Sequence, residues 1–356
     1  MSSPQQWLDA IHQVPLDGAL RILHLSGDQE RVIVRAGIRE RLPAAIELLA
    51  GPGCPAMVCP SGDVYQAIQL ARRHPLTLLV EENLLHLPLG PRMPGPASLA
   101  AAREQGADVR VIAAPVEAFL AARADPAREM VLFVAGFETL LAPLAGLLLE
   151  AVPENLSLLL CGRSVAPLLE QKLQLDEPGF DGLLLPGNRC AVIGSAGWEA
   201  LIAGRRLPAA IGGYTASAVL RAVHAVARRR SERRAGIDNC YRPVARPEGN
   251  AVARRRLQQV FTRADGHWRG YGDVPASAYR LGEAHADQDA DRRYPDYRAE
   301  VASAAELAAS CRCAEVMLGS TRPADCAGFA GACDPVRPQG PCMASPDGTC
   351  HINMAP

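Results

Sequence analysis

Six of the chain's eleven cysteines fall within its last 46 residues, in the order Cys311-Arg-Cys313, twelve residues, Cys326, six residues, Cys333, eight residues, Cys342, seven residues, Cys350. The surrounding stretch is rich in Gly and Pro and carries no obvious apolar core, so thiolates ligating metal could organise it. Four thiolates suit either zinc or an iron–sulfur cluster, and unligated thiols are the third possibility. Two cysteines left over beside four ligands favour a cluster with an adjacent redox pair over a purely structural zinc.

A second constellation lies near the other end. Gly51-Pro52-Gly53-Cys54-Pro55-Ala56-Met57-Val58-Cys59-Pro60 places two cysteines and three prolines on a turn between a strand and a helix. The prolines stiffen the backbone, the glycines let it turn tightly, and a thiol near a helix N-terminus is expected to favour its thiolate. Such a thiolate suits soft iron or disulfide exchange. The competing reading is two small apolar residues buried in a turn.

Apolar runs at Arg21–Leu25, Ile46–Ala50, Leu76–Val80, Val109–Ala113, Met130–Ala135, Leu156–Cys161 and Gly182–Leu185 read as strands. Helical periods near Gln29–Arg41, Asp63–Arg73, Pro115–Ala124, Thr139–Glu150, Val165–Leu173 and Thr215–Arg234 alternate with them, which implies crossover units and mainly parallel sheets. So many strands exceed one comfortable sheet. The expected architecture is two facing α/β domains, residues 1–125 and 126–235, followed by residues 236–356 with a small cysteine-rich iron–sulfur lobe. Ser26-Gly27-Asp28, Gly51–Cys54, Gly136-Phe137-Glu138-Thr139, Pro186-Gly187-Asn188 and Gly212-Gly213-Tyr214 each follow the C-terminal end of a predicted strand. In parallel α/β sheets that edge is the ligand crevice, so these five loops should share one cleft. For any single loop the plainer explanation is that glycine makes the turn possible.

The 37 basic and 38 acidic residues balance, so no global field would draw the protein to nucleic acid or anionic lipid. The longest apolar run, Leu140–Leu149, contains Pro143 and is about half of what a membrane span requires. The N-terminus has no basic start leading into an apolar stretch and does not read as a secretory signal. A cytoplasmic protein is expected, and in a reducing compartment its cysteines point to metal or redox chemistry rather than a disulfide framework.

Taken together, Gly51-Pro52-Gly53-Cys54-Pro55, the Gly136-Phe137-Glu138-Thr139 turn, Pro186-Gly187, the stretch from Asn239-x-Tyr241-x-Pro243-Val244 to Glu248-Gly249-Asn250, Trp268-Arg269-Gly270-x-Gly272 with Pro275, and the cysteine tail resemble the HypD family of [NiFe]-hydrogenase maturation proteins, in the family's order. The resemblance spans nearly the whole chain. It implies a role in building the Fe(CN)2CO group, with a small HypC-like partner, cyanide arriving from a HypE-like donor, and the hydrogenase large subunit reached indirectly. It also implies a [4Fe-4S] cluster. Carried over by position, Cys311, Cys313, Cys326 and Cys333 are its ligands and Cys342 with Cys350 the redox pair. Cys54, Cys59 and Glu138 join that pair as candidate catalytic residues, with Cys54 also a candidate ligand of the transient Fe(CN)2CO iron.

The departures fall where family chemistry is expected. The family's Cys-Gly-x-His reads Ser26-Gly27-Asp28-Gln29, its Cys-Pro-x-Cys reads Cys54-Pro55-Ala56-Met57, and the histidine after Pro-Gly is Asn188. A thioether is a weak neutral ligand and takes no part in disulfide exchange. Cys54 remains, Cys59 stands two residues past the lost position as a possible substitute, and Cys190 could be a further cleft thiol. An assembly factor with a rearranged cysteine set therefore competes with a non-catalytic paralogue acting as scaffold, iron–cyanide carrier or electron-transfer partner. A zinc-binding interaction module is the third reading.

Overall fold

Alternating apolar residues build the frame. The computed structural model describes residues 3–242 and 244–354, so Pro243 of the resemblance motif lies outside the described residues. Its strands are β1 (Leu20–His24), β2 (Ile46–Ala50), β3 (Leu76–Glu81), β4 (Val109–Ile112), β5 (Glu129–Gly136), β6 (Leu156–Arg163), β7 (Gly182–Pro186), β8 (Pro208–Gly212), β9 (Gly236–Asn239), β10 (Phe261–Trp268) and β11 (Gly272–Leu281). They form two sheets, a five-stranded one in the order β2-β1-β7-β8-β9 and a six-stranded one in the order β10-β11-β6-β5-β3-β4. The first is parallel throughout; in the second, β4, β3, β5 and β6 are parallel, and the β10–β11 hairpin adds antiparallel on β6.

Successive strand residues point to opposite faces. Val131, Phe133 and Ala135 of β5 join Leu23, Leu183, Leu185 and Ile211 of the other sheet in one shared core. Met130, Leu132 and Val134 pack outward against the helices Pro115–Ala124 and Glu138–Leu148. Leu20, Ile22, Leu184 and Ala210 do the same on the far face of the first sheet against the helix Ala216–Ser231. The architecture is therefore two facing α/β layers with mainly parallel sheets.

The sheets do not divide at residue 125: β1 and β2 belong to one, β3 and β4 to the other, and the chain returns to the first sheet only with β7. Periodicity marks strands but carries no label for the sheet they join. The cysteine tail packs into the shared core through Cys313, Val316, Met317, Cys342, Met343 and Cys350. Among the described residues no helix is long and apolar enough to cross a membrane.

Candidate functional site

All five glycine-bearing loops reach one cleft. Its volume is about 240 Å³, and its lining includes Ser26, Gly27 and Asp28 after β1, Gly53 and Cys54 after β2, Phe137 and Thr139 after β5, Asn188 and Arg189 after β7, and Tyr214 after β8. Glu81 and Asn83 after β3 and Asp347 from the tail complete it. The first two loops touch: the Gly27 N–H donates to the Gly53 carbonyl at 3.4 Å, and a Cβ at Gly53 would overlap the Ser26–Gly27 backbone. Glycine is required there because the loops approach backbone to backbone.

Among the described residues, Cys54 is the sole cysteine lining this cleft, with its Sγ 3.2 Å from the Ser345 Oγ. The expected low-pKa thiolate is not found. Burial pushes the Cys54 thiol up to about 11, outweighing the Ser345 hydrogen bond, and the Asp347 carboxylate adds to the rise. The helix that starts after it, Pro55–Val58, is one turn long and has too few aligned peptides to offset full desolvation.

The lost family positions have taken structural work. Ser26 caps the helix Gly27–Arg35, its Oγ accepting from the Gln29 N–H at 3.4 Å. The Gln29 side chain is buried and donates to the Gly212 carbonyl at 3.2 Å. Met57 sits in the shared core and does not line the cleft. Asn188 remains on the cleft wall, its N–H donating to the Tyr214 Oη at 2.9 Å.

Cys59 does not replace the missing thiol. It lies away from the cleft lining, with the Cys161 Sγ and an Asp63 carboxylate oxygen, all buried and all within 4.8 Å of one another. Two residues of sequence separation hide a change of direction, because Cys59 follows the one-turn helix and points to β6. Asp63 there is bound by the Arg298 Nε at 2.6 Å and faces the Arg163 Nη2 at 3.9 Å, two cations that oppose a further one. Cys190 is likewise in the core rather than on the cleft, and burial pushes its thiol up to about 12.

Glu138 also stands behind the cleft. It is buried, and its Oε1 accepts from the Ser164 Oγ at 2.6 Å and the Tyr279 Oη at 3.2 Å, while its Oε2 lies 3.6 Å from the Arg189 Nε. Arg189 on the cleft wall escaped the sequence reading, although it directly follows the Pro-Gly-Asn turn. Three carboxylates join it there: burial and then Asp347 raise the pKa of both Asp28 and Glu81, and Asp347 pairs with the Arg31 Nη2 at 2.5 Å.

The six tail cysteines all line one cavity, together with Val316, Phe329 and Met343. Gly340 permits this closeness, since a Cβ there would overlap the Cys311 Sγ. Cys342 neighbours both Cys313 and Cys350, and its Sγ accepts from the Cys350 N–H at 3.0 Å. Cys342 thus touches its expected redox partner, Cys350, and one of the expected ligands, Cys313. Burial pushes Cys311 up to about 12 and Cys342 above the usual thiol range. Arg269, buried in the Trp268-Arg269-Gly270 motif, carries its charge beside Cys313 and Cys59. The tail meets the cleft loop directly, because the helix Pro341–Ala344 packs on Pro55–Val58.

A zinc tetrahedron with Zn–S bonds of about 2.3 Å sets neighbouring sulfurs about 3.8 Å apart. Among the described residues, only Cys59, Asp63 and Cys161 bring three metal-binding atoms within 4.8 Å of one another. The tail thiols do not form such a group among the described residues, and a cluster, whose ligands bind different irons, requires none.

The family model HypD, described as "Hydrogenase formation hypA family", matches residues 3–355. The hydrogenase maturation factor HypD of Azotobacter vinelandii is 33% identical over 340 residues, covering 93% of this chain and 87% of that protein. That of Rhizobium leguminosarum bv. viciae is 32% identical over 346 residues (94% and 87%), and that of Escherichia coli K12 is 28% identical over 336 residues (93% and 87%). With a family match over residues 3–355 and relatives 32–33% identical over more than nine-tenths of its length, this chain belongs to the HypD family.

Proposed function

We propose that the chain acts in hydrogenase maturation in the cytoplasm, holding an Fe(CN)2CO group in the strand-end cleft with a HypC-like small protein, cyanide coming from a HypE-like donor. The hydrogenase large subunit would receive the group indirectly. The observation that carries this reading is the continuity of two sulfur sites: Cys54 in the cleft is 3.2 Å from Ser345, three residues beyond Cys342 of the six-cysteine cavity.

The donor set of that cavity fits a [4Fe-4S] cluster, with six thiols and an apolar lining. When bound, such a cluster supplies one-electron redox chemistry beside the remaining thiols. Cys311, Cys313, Cys326 and Cys333 ligate and Cys342 with Cys350 forms the thiol pair, a reading supported by the Cys350 N–H donating to the Cys342 Sγ; a Cys313–Cys342 pair, with Cys350 as ligand, is the competing assignment. Cys54 is then the cleft's own soft ligand for the cargo iron. Glu138 acts indirectly, by positioning Arg189.

A scaffold or carrier without assembly chemistry is the second reading, favoured by Ser26, Gln29 and Met57 serving as cap, buried hydrogen-bond donor and core residue. Complementation separates the two. In cells lacking their own HypD, an assembly factor restores hydrogenase activity, and the purified complex shows cyanide and carbonyl infrared bands that Cys54→Ala removes. A scaffold binds the HypC-like partner and restores nothing. Absence of both bands and partner binding would overturn the maturation reading itself.

A further inference from the structure

One guanidinium in the cleft has N–H groups to spare. Arg189 is 4% exposed, lines the cleft, and has its Nε and Nη1 buried without a hydrogen-bond partner. Its neighbours explain only part of this. The Glu138 Oε2 is 3.6 Å from Nε, too long for a hydrogen bond, and Ser164 and Tyr279 already hold the other Glu138 oxygen. The Phe137 ring, 4.5 Å from the guanidinium carbon, stacks against its face and accepts from none of its edge N–H groups. A buried donor left without an acceptor is destabilising, and one that lines a cleft asks for an acceptor such as an ordered water, an ion or a ligand.

The rest of the lining narrows the ligand. Asp28, Glu81 and Asp347 face the same cleft beside Cys54, and among them Asp347 is partly neutralised by Arg31. An oxyanion such as sulfate would present one oxygen to Arg189 and its remaining charged oxygens to these carboxylates. A cyanide bound to a metal is different: its nitrogen is a single terminal acceptor, and its metal end prefers the thiolate and carboxylate side of the same cleft.

We propose that Arg189 is the recognition residue of this cleft for metal-borne cyanide, donating to the cyanide nitrogen while Cys54 holds the metal. This rests on the iron-handling reading above. Asn188, the neighbouring residue on the wall, adds a side-chain amide within the same lining.

The test uses thiocyanate as the probe, on full-length protein purified anaerobically and without added iron. Its C≡N stretch reports hydrogen bonding to the nitrogen. The expected result is a saturable shift of that band with wild-type protein, a loss of affinity of about tenfold or more in Arg189→Gln, and partial recovery in Arg189→Lys, the factor corresponding to one charge-assisted hydrogen bond. Sulfate and acetate at equal concentration should displace the probe poorly. If Arg189→Gln does not fold, the arginine N–H resonances of nitrogen-labelled wild-type protein supply the same reading, with Arg189 signals moving on addition of thiocyanate. Equal binding in wild type and Arg189→Gln, unmoved Arg189 resonances, or displacement by sulfate as effective as by thiocyanate would each overturn the assignment. Because no iron and no hydrogenase enter this experiment, a protein that supports maturation but fails here sinks the Arg189 inference alone.

Discussion

The cleft and the cysteine cavity are neighbours built on opposite principles. The cleft is assembled from backbone, six strand-end loops converging because parallel strands end on one edge, with a single thiol among its side chains. The cavity has little regular structure around it and concentrates six thiols. The departures from the family pattern, at Ser26, Gln29, Met57 and Asn188, all fall on the segments that follow the strands of the cleft, although only Ser26 and Asn188 line it, and the tail carries its six cysteines. A scaffold of strand ends keeps its shape when its side chains change. A lobe whose folding depends on ligation does not.

That contrast is broken most sharply by removing tail ligands. Cys326→Ser or Cys333→Ser should bleach the chromophore and cost several kcal/mol in the stability of residues 311–354, because ligation replaces a large core there. Iron and sulfide analysis with a thermal melt reads both effects. Cys342→Ser should keep most of the absorption and lose the reversible two-electron thiol titration. Comparing Cys313→Ser with Cys350→Ser then decides the pairing: a Cys342–Cys350 pair predicts cluster loss only in the first, a Cys313–Cys342 pair only in the second. Full iron content in both Cys326→Ser and Cys333→Ser would remove these residues from the ligand set.

The matching experiment on the cleft should leave the fold alone. Cys54→Ala removes a buried thiol whose one side-chain partner is Ser345, at a cost of about 1 kcal/mol, while cargo iron binding falls below detection. Retained iron–cyanide bands in this variant would show that the cleft does not hold the cargo through sulfur.

Sequence reasoning succeeded where periodicity speaks. The strand Ile46–Ala50 and the helices Pro115–Ala124 and Val165–Leu173 occupy their expected bounds, and the five loops meet in one cleft. The β10–β11 hairpin was missed for a physical reason. A register shift between Ala264 and Gly266, Pro275, and Ala276 at a φ of 51° interrupt the alternation that marks a strand. The site residues were legible as types but not as places: Cys59 reads as a neighbour of Cys54, yet it faces Cys161, and Arg189 carries no local signal because its meaning depends on Glu138 and Phe137, far away in the chain.

The two regions are also tied by a smaller device that pH addresses. Glu30 accepts from the His24 Nε2 at 2.8 Å, the Arg39 Nη2 at 2.6 Å and the Asn353 Nδ2 of the last helix at 2.6 Å. Burial alone would raise its pKa, but the His24 hydrogen bond and charge and the Arg39 guanidinium overcome this and hold it at about 2, below the ordinary 4.5. A depressed carboxyl pKa stabilises the fold fully above about pH 4.5 and loses that contribution as pH falls toward 2. The stability difference between wild type and Glu30→Gln, roughly 3 kcal/mol at most near neutral pH, should therefore shrink steadily below pH 4.5. A difference constant with pH would mean that Glu30 acts by shape alone.

The smallest effect should come from rebuilding the cleft one residue at a time. Ser26 is the one lost ligand position, of Ser26, Gln29 and Met57, that still lines the cleft, on a loop in backbone contact with the one before Cys54. Ser26→Cys should raise ferrous iron affinity measurably in an anaerobic titration, because a second thiolate joins Cys54 at one edge. Losing the Ser26 cap, a long 3.4 Å hydrogen bond, should cost about 0.5–1 kcal/mol. Met57→Cys should do less for iron and more harm to the fold, since position 57 belongs to the shared core and a shorter side chain there leaves a gap costing about 1–3 kcal/mol. Adding Gln29→His brings little unless the ring displaces the hydrogen bond to Gly212 and turns toward the cleft. The order expected for iron affinity is thus Ser26→Cys above Met57→Cys and Gln29→His. Met57→Cys leading that order would place residue 57 at the cleft when iron is present, and would show that the one-turn helix Pro55–Val58 rearranges to bind it.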